Sequence, residues 1–566
     1  MAASPDPAKW FLQFAPHGAG RPWADGTEMA SRAQPPQGQP TYLPWDSGCR
    51  VTTYTSGFDA MNAMRDALVA VIAEAKQQQG PAKGRVYISD WRMNGLRDLS
   101  TDNAWGIGPW HQFLAGTQAA RDQTVIGLLL QLVQAGVMVR VLLWQPLHVS
   151  QYCPADLHAH VLDHHYAARI VADQTKGPTP LPDGEPLGVV ALDLRTADRL
   201  TASHHQKTMV IRSGATHLAF VGGVDFGFTR RDAVAPGTSE AGDWQAGAGM
   251  PDPQRGWPRQ AGVGYPKPDE VKPPERAVPS SDLPTAVYSD SDPTAVGHRQ
   301  RWHDQHLKIE GPAVATLEHQ FGERWRDSGR VFDLSQDGNW SGQQVIFSTS
   351  HAIQQPDGIR PLPIPRPPPD LQGAASLVQM WRTIPLRRYR VGPPFERGEF
   401  TVMAGIAHAV QQATELIWIF DQYLWSEAFA RLLNQRLRAV GSLRVIIVLP
   451  PHADVLTDTA HEARFRALTL LTASGMQDRV AVFNPWNVVS ASGNAPANRG
   501  IYVHAKAHTY DGALLVCGSA NLNRRSFLCD TELCCAVLDP AVVLAHQKAL
   551  WQRLFTNEPW PPLTDL

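Results

Sequence analysis

The sequence predicts an α/β protein of two similar α/β/α lobes, arisen by internal duplication and arranged around a pseudo-twofold axis. Three observations predict it. Short β-rich runs alternate with helical segments, and the order of those runs in the first half returns in the second. At 566 residues the chain also exceeds the roughly 250–300 at which a single core stops growing.

The first half opens on residues 57–78, where Phe58, Met61, Met64, Leu68, Val71 and Ile72 recur at helical spacing. The apolar stretch TVIGLLLQLVQAGVMVRVLLW has the length of a membrane span. Gln131, Gln134 and Arg140 interrupt it, however, and the QAG at 134–136 reads as a helix end followed by a buried strand. Strands are predicted at 85–91, 137–144, 187–194, 205–211 and 217–223, and a helix over 312–326 closes this half.

The second half repeats these events. A helix at 401–414 precedes LIWIFDQY at 416–423; a helix at 426–439 precedes LRVIIVLP at 443–450; and a helix at 459–473 precedes VAVFNP, IYVHAKAH and ALLVCGSAN. RVYISDW thus answers LIWIFDQY, and HHQKTMVIRSGATHLAFVGGVD answers VHAKAHTYDGALLVCGSANLN. Residues 233–300 and 354–374, rich in Pro and Gly, read as long loops or linkers. The expected organisation is an N-terminal extension (1–50), a first lobe (51–335), a Pro-rich linker (336–375) and a second lobe (376–566).

Lys and Arg number 51 against 53 Asp and Glu, a net charge of −2, which offers no global attraction to nucleic acid or anionic membrane. Any site for a polyanion must be local. The first residues show neither a basic stretch nor an apolar core of a signal peptide, so a chain that starts in the cytoplasm without a transmembrane anchor is expected. Cys49, Cys153, Cys517, Cys529, Cys534 and Cys535 form no CxxC pair and no metal-ligand spacing with His, so reduced, buried thiols and no metal are expected.

The chemistry resides in His-x-Lys, which occurs at His205/Lys207 and again at His504/Lys506. In a strand, residues two apart share a face, so each half presents an imidazole beside an ammonium. If the halves converge about a twofold axis, one pocket holds two lysines to neutralise phosphate oxygens. It also holds two imidazoles, one to attack phosphorus and one to protonate the leaving alkoxide. No cofactor is needed. Ser519 and Asn521 after Gly518, and Asp225 after Gly222 and Gly223, are candidate phosphate-binding residues. An attacking imidazole needs its other nitrogen held, usually by a carboxylate. Glu532 is the candidate in the second half and Asp232 the candidate for His205.

Seven residues beyond each His lie Arg212 and Asp511. An odd offset faces them away from the His and Lys in an unbroken strand, so parity makes Asp511 a turn or structural residue. The run WRTIPLRRYR, with Arg382, Arg387, Arg388 and Arg390, reads as a solvated basic strand edge or a contact for anionic headgroups.

With these residues assembled, the chain resembles the phospholipase D superfamily in its two-motif, single-chain form, whose pattern is His-x-Lys-x(4)-Asp followed by a Gly-Gly or Gly-Ser turn. His504, Lys506 and Asp511 match in full, which by resemblance places Asp511 in the catalytic set; His205 and Lys207 match, and Arg212 departs. AFVGGVDFGFTRRD, RWHDQHLKIEGPA, FDQYLWS and GSANLNRRSF extend the resemblance over roughly residues 50–555, with His303 and Asp304 as second-tier site candidates. The resemblance implies a ping-pong reaction in which His205 forms a phosphohistidine, His504 serves as acid and then base, and Lys207, Lys506 and Asn521 stabilise the phosphorane. The implied substrate is a glycerophospholipid at a membrane surface, cleaved to phosphatidic acid and headgroup alcohol. The chain is also similar in build to superfamily lipases exported as antibacterial effectors. A cardiolipin-synthase-like phosphatidyltransferase, a nuclease, and a degenerate phospholipid-binding scaffold remain as alternatives, and no protein partner is indicated.

Overall fold

The computed structural model describes residues 6–13, 45–79, 83–91, 93, 124–144, 187–193, 202–214, 216–226, 302–328, 331–332, 352–353, 362–363, 365–385, 398–450, 458–488, 498–500 and 502–554. The described helices are α1 (Pro7–Trp10), α2 (Gly57–Gln77), α3 (Val125–Gln134), α4 (Ala313–Ser328), α5 (Thr401–Gln412), α6 (Glu427–Ala439), α7 (Asp458–Thr472), α8 (Arg524–Leu528) and α9 (Pro540–Leu554). First-half strands are β1 (Asp46–Tyr54), β2 (Gly84–Asp90), β3 (Met138–Trp144), β4 (Gly188–Asp193), β5 (Thr208–Ser213), β6 (His217–Gly222), β7 (Trp302–His303), β8 (His306–Glu310), β9 (Val331–Phe332) and β10 (Ala352–Ile353). The second half has β11 (Ser376–Ile384), β12 (Glu399–Phe400), β13 (Leu416–Asp421), β14 (Arg444–Val448), β15 (Val480–Phe483), β16 (Trp486–Val488), β17 (Asn498–Gly500), β18 (Tyr502–Val503), β19 (Lys506–Tyr510), β20 (Leu514–Gly518) and β21 (Glu532–Leu538).

The predicted helices form for local reasons. Ser56 caps α2, its hydroxyl accepting from the Phe58 and Asp59 amides, and the Met61, Met64, Leu68, Val71 stripe is buried. Thr124 caps α3 in the same way, and Gly136, at φ +90°, turns the chain into β3. The long apolar stretch is therefore a helix-strand unit. Among the described residues no helix is long and apolar enough to cross a membrane.

The protein is α/β with a mixed sheet. In the first half the pairing order is β4-β3-β2-β5-β6-β8-β1, the first two pairings parallel and the rest antiparallel. In the second it is β15-β14-β13-β19-β20-β21-β11, with the same senses in the same places. The runs meet where β1, paired to β8 from Arg50 to Tyr54, also pairs with β11 at Asp46 and Cys49. A continuous core crosses this junction, joining Tyr87, Phe321 and Trp325 to Trp381, Val402 and Val516. Arg382 reinforces it. Fully buried on β11, its guanidinium donates to Glu323 of α4 and Glu399 of β12, so it is neither a solvated edge nor a headgroup contact. Arg387, Arg388 and Arg390 lie outside the described residues.

The described part of the N-terminal extension is docked. Trp10, Phe11 and Leu12 are buried, the Leu12 amide and carbonyl pair with the Gln379 side chain, and the Lys9 carbonyl lies 2.9 Å from His408 Nε2.

Two strand predictions need correction at the site. The first His-x-Lys was expected within a strand from 205, yet β5 begins at Thr208; IYVHAKAH likewise breaks into β18 and β19 around His504 and Ala505. The residues left out of the ladders are engaged elsewhere, as follows.

Candidate active site

His205 and His504 each emerge from a short parallel pairing with the opposite half. His204 bridges Thr531, with the His205 amide donating to the Thr531 carbonyl (3.0 Å) and the Thr531 amide to the Ser203 carbonyl (2.9 Å). On the other side β18 pairs with β7 in parallel, and the amides of His504 and Ala505 donate to the His303 carbonyl at 2.7 and 3.1 Å. These contacts fasten each motif to the other half.

Because the pairings are parallel, the next residue of one strand lies beside the next residue of its partner. Asp304 thereby meets His504, Oδ2 to Nδ1 at 2.6 Å, and Glu532 meets His205, both carboxylate oxygens 3.1 Å from Nδ1. This corrects the sequence expectation: Glu532 holds the first-half His, and the second-half His is held by Asp304. Asp232 lies outside the described residues.

The two carboxylates occupy matching places. Gly222 pairs with His306 and Gly518 with Cys534, so Asp304 and Glu532 each precede the glycine's partner by two. A Cβ on Gly223 would lie 1.9 Å from Asp304 Oδ1, and one on Gly518 would lie 2.2 Å from the Leu533 carbonyl oxygen, so both turns require glycine. Ser519 donates its hydroxyl to Glu532 Oε2 at 2.5 Å.

Both lysines are nearly fully buried. Lys207 Nζ donates to the His205 carbonyl at 2.9 Å and lies 5.8 Å from the centre of the Trp91 ring, which itself stands edge-on to His205. Lys506 Nζ donates to Gln422 Oε1 at 3.0 Å and to the His504 carbonyl. Asn521 is buried with its side-chain oxygen unpartnered. Asp225, in the matching loop, is buried too.

Asp90 and Asp421, at the ends of β2 and β13, position those loops. Asp90 accepts from the Trp91 and Phe226 amides at 2.9 and 3.0 Å, and Asp421 from the Tyr423 and Leu522 amides at 2.8 and 3.3 Å. Sequence reasoning missed both, although SDW and FDQY had been matched as a repeat. That repeat was the available signal.

Burial sets the protonation states. It pushes the His205 imidazole well below its usual value, and the Lys207 and Lys506 charges push the same way. Burial also lifts the Glu532 carboxyl to about 7, against the opposing Ser519 and Ser526 hydroxyls and the two lysines. With Glu532 ionised, its oxygens can only accept, so Nδ1 of a neutral His205 carries the proton and Nε2 keeps its lone pair. Burial raises Asp90 and Asp421 as well. No group of three or more His, Cys, Asp or Glu among the described residues is placed to hold a metal.

Asp511 is not at this site. At φ +48° it closes the β19–β20 turn, and its carboxylate accepts from the amides of Thr414, Glu415 and Leu416 at 2.8, 2.8 and 3.1 Å. It ties the turn to the start of β13, so the motif's Asp is corrected from the catalytic set to a structural clamp, as parity implied. Arg212 on β5 donates to the Arg366 carbonyl at 2.6 Å and lies 3.7 Å from Glu318 of α4, also away from the site. The ring of His303 packs against Phe420, 5.7 Å between centres, while its carbonyl receives the second motif.

Residues 406–554 match the family described as "Cardiolipin synthase, PLD-like domain", a stretch that contains His504, Lys506, Asn521 and Glu532. Cardiolipin synthase A of Pseudomonas fluorescens strain Pf-5 is 25% identical over 240 residues, 42% of this chain and 37% of that protein. The second half thus carries a domain of the phospholipase D superfamily. A second relative within that superfamily, phospholipase D alpha 2 of Oryza sativa subsp. japonica, is 29% identical over 170 residues, 26% of this chain and 19% of the relative. The matches thus span well under half the length of either relative. Among solved structures, phosphatidylserine synthase of Haemophilus influenzae Rd KW20 aligns over 90% of this chain and 88% of its own at 11% identity, with a TM-score of 0.46.

Proposed function

We propose that this phospholipase D superfamily member cleaves the distal phosphodiester of glycerophospholipids by a two-step reaction through His205. In the first step the Nε2 lone pair of His205 attacks phosphorus, a P–N bond forms, the P–O bond to the headgroup breaks, and His504 gives its proton to the departing oxygen. In the second, His504 takes a proton from water. The hydroxyl adds to phosphorus, the P–N bond breaks, and phosphatidic acid leaves.

Lys207 and Lys506 offset the charge on the equatorial oxygens. Asn521, buried close by in the loop after β20, has an Nδ2 amide that can donate to a phosphate oxygen. Asp225 lines the matching loop. The observation that carries the reading is the reciprocal pair of contacts, Glu532 to His205 and Asp304 to His504, which gives each imidazole a carboxylate from the opposite half.

A second reading is phosphatidyl transfer, in which an alcohol replaces water in the second step. The match to the cardiolipin synthase family and to the Pseudomonas relative favours it. Incubating the protein with phosphatidylethanolamine vesicles, with and without a primary alcohol, and weighing the lipid products separates the two. Phosphatidic acid formed in water alone supports hydrolysis; a phosphatidyl alcohol with no phosphatidic acid replaces it with transfer.

A further inference from the structure

The residue before the proposed nucleophile is also a histidine, and the mechanism above leaves it unused. His204 is fully buried and held at both ring nitrogens: Nδ1 is 2.5 Å from Thr531 Oγ1, and Nε2 is 2.7 Å from Asp193 Oδ2 at the end of β4. Arg324 Nη2 approaches the same Asp193 oxygen at 3.5 Å, and the arginine's Nη1 donates to Gln206 Oε1 at 2.7 Å. The Asp193 carboxylate is an acceptor, so Nε2 of His204 carries the proton and Nδ1 accepts from the Thr531 hydroxyl.

Four consecutive residues thus grip three of the opposite half. The Ser203 amide donates to Asp530 Oδ1 at 2.7 Å, His204 meets Thr531, His205 meets Glu532, and Gln206 Nε2 donates to the Glu532 carbonyl at 3.1 Å. The second motif differs in its immediate neighbours. His504 is flanked by Val503 and Ala505, both buried and apolar. The run of polar contacts at residues 203–206 surrounds the imidazole that would form the covalent bond to phosphorus.

We infer that His204 is a positioning residue, which through Thr531 sets the Glu532 carboxylate against His205 Nδ1. The inference rests on the reading of His205 as nucleophile. A purely structural role would also bury such a network, so the test must move something that stability does not.

Asn at 204 can place an acceptor where Nδ1 stands and keep the Thr531 contact; Gln reaches toward Asp193 and gives Thr531 up. H204N, H204Q and T531V are compared with the wild type, each also in an E532Q background, for headgroup release from phosphatidylethanolamine vesicles, thermal melting, and the pH dependence of His205 modification by diethyl pyrocarbonate. H204Q and T531V are expected to lower kcat about tenfold to a hundredfold, the range for groups that orient a reacting ligand, with KM within about twofold and H204N rescuing most of the loss. Neither is expected to cost anything further once Glu532 is Gln, because residues acting through one partner are not additive. Equal losses in H204N and H204Q that follow the melting temperature, or penalties that multiply in E532Q, overturn the inference. If the wild type turns over no lipid, the functional reading fails by itself. The modification profile still decides the positioning claim: a midpoint shifted in H204Q and T531V but not in H204N sustains it, and identical midpoints end it.

Discussion

Glu532 holds the Nδ1 of His205, a residue 327 positions earlier in the chain, while its counterpart Asp304 holds His504 across 200 positions in the other direction. Each imidazole takes its carboxylate from the opposite half. An isolated half would therefore carry a His-x-Lys without its carboxylate, and the complete site exists only where both halves meet.

Replacing Glu532 with Gln is expected to lower kcat by about a hundredfold or more, since the amide no longer fixes the Nδ1–H tautomer against a charge. Wild-type kcat/KM is expected to rise with pH through about 7, where Glu532 ionises, and E532Q to lose that limb. Stability provides a second readout. Glu532 is raised on folding, so its contribution is full below the ordinary carboxylate range and is lost as pH climbs to about 7. His205 is lowered on folding, so its contribution is present above the ordinary imidazole range and is lost as pH falls. Just below the ordinary imidazole value of about 6.5 the two windows overlap and oppose one another, and the wild type should be nearly flat there. E532Q retains only the histidine's share, so its stability in denaturant should climb with pH over that interval.

The division of labour between the two histidines is testable with an activated diester, whose leaving group needs no proton. His504→Asn is expected to release one equivalent of p-nitrophenol from such a substrate and then stall, with the phosphoryl adduct on the peptide containing His205. His205→Ala should release none. An adduct found on residue 504 in the His205 variant would reverse the assignment.

Asp511 and Arg212 should affect stability rather than chemistry. Asp511→Ala removes the acceptor for three backbone amides at the head of β13 and leaves a left-handed φ without the side chain that favours it. A loss of about 1–3 kcal/mol in urea denaturation is expected, with turnover per folded molecule unchanged. Arg212→Asp sets a carboxylate beside Glu318 and abandons the Arg366 carbonyl, so a similar destabilisation with little change in kcat is expected. A collapse of kcat in folded Asp511→Ala would return that residue to the catalytic set.

Much of this was legible in the sequence because it is local. The α2 stripe, the helix-strand break at Gly136 and the repeated order of strands all follow from periodicity and turn residues within short windows. Parity placed Asp511 away from the pocket for the same reason. What was missed is non-local. Glu532 was picked as an orienting residue but given to the wrong histidine, because a parallel pairing of 203–205 with 531 has no signature within either half. The same pairing explains why β5 starts later than expected, since residues whose amides serve the other half cannot also extend the ladder. His204, Asp90 and Asp421 carry ordinary residue types, and each has a partner 87 or more residues away, beyond what spacing can reveal.

Gly223 offers the sharpest separation of acid catalysis from attack. Its counterpart is Ser519, whose side chain fits because it donates to Glu532; at 223 the shorter Asp304 has its Oδ1 only 1.9 Å from where a Cβ would stand. Gly223→Ala must therefore displace the Asp304 carboxylate, which otherwise accepts from the Gln305 amide at 3.0 Å and faces His504 at 2.6 Å. His205 and Glu532 lie on the opposite pairing and are untouched. Turnover of phosphatidylethanolamine, whose alkoxide needs a proton, is expected to fall by about a hundredfold. Release of p-nitrophenol from an activated diester in the first turnover should stay within a few-fold of wild type, as the leaving group departs unprotonated. Equal losses on both substrates, in a variant that melts normally, would mean that Asp304 does not act through His504.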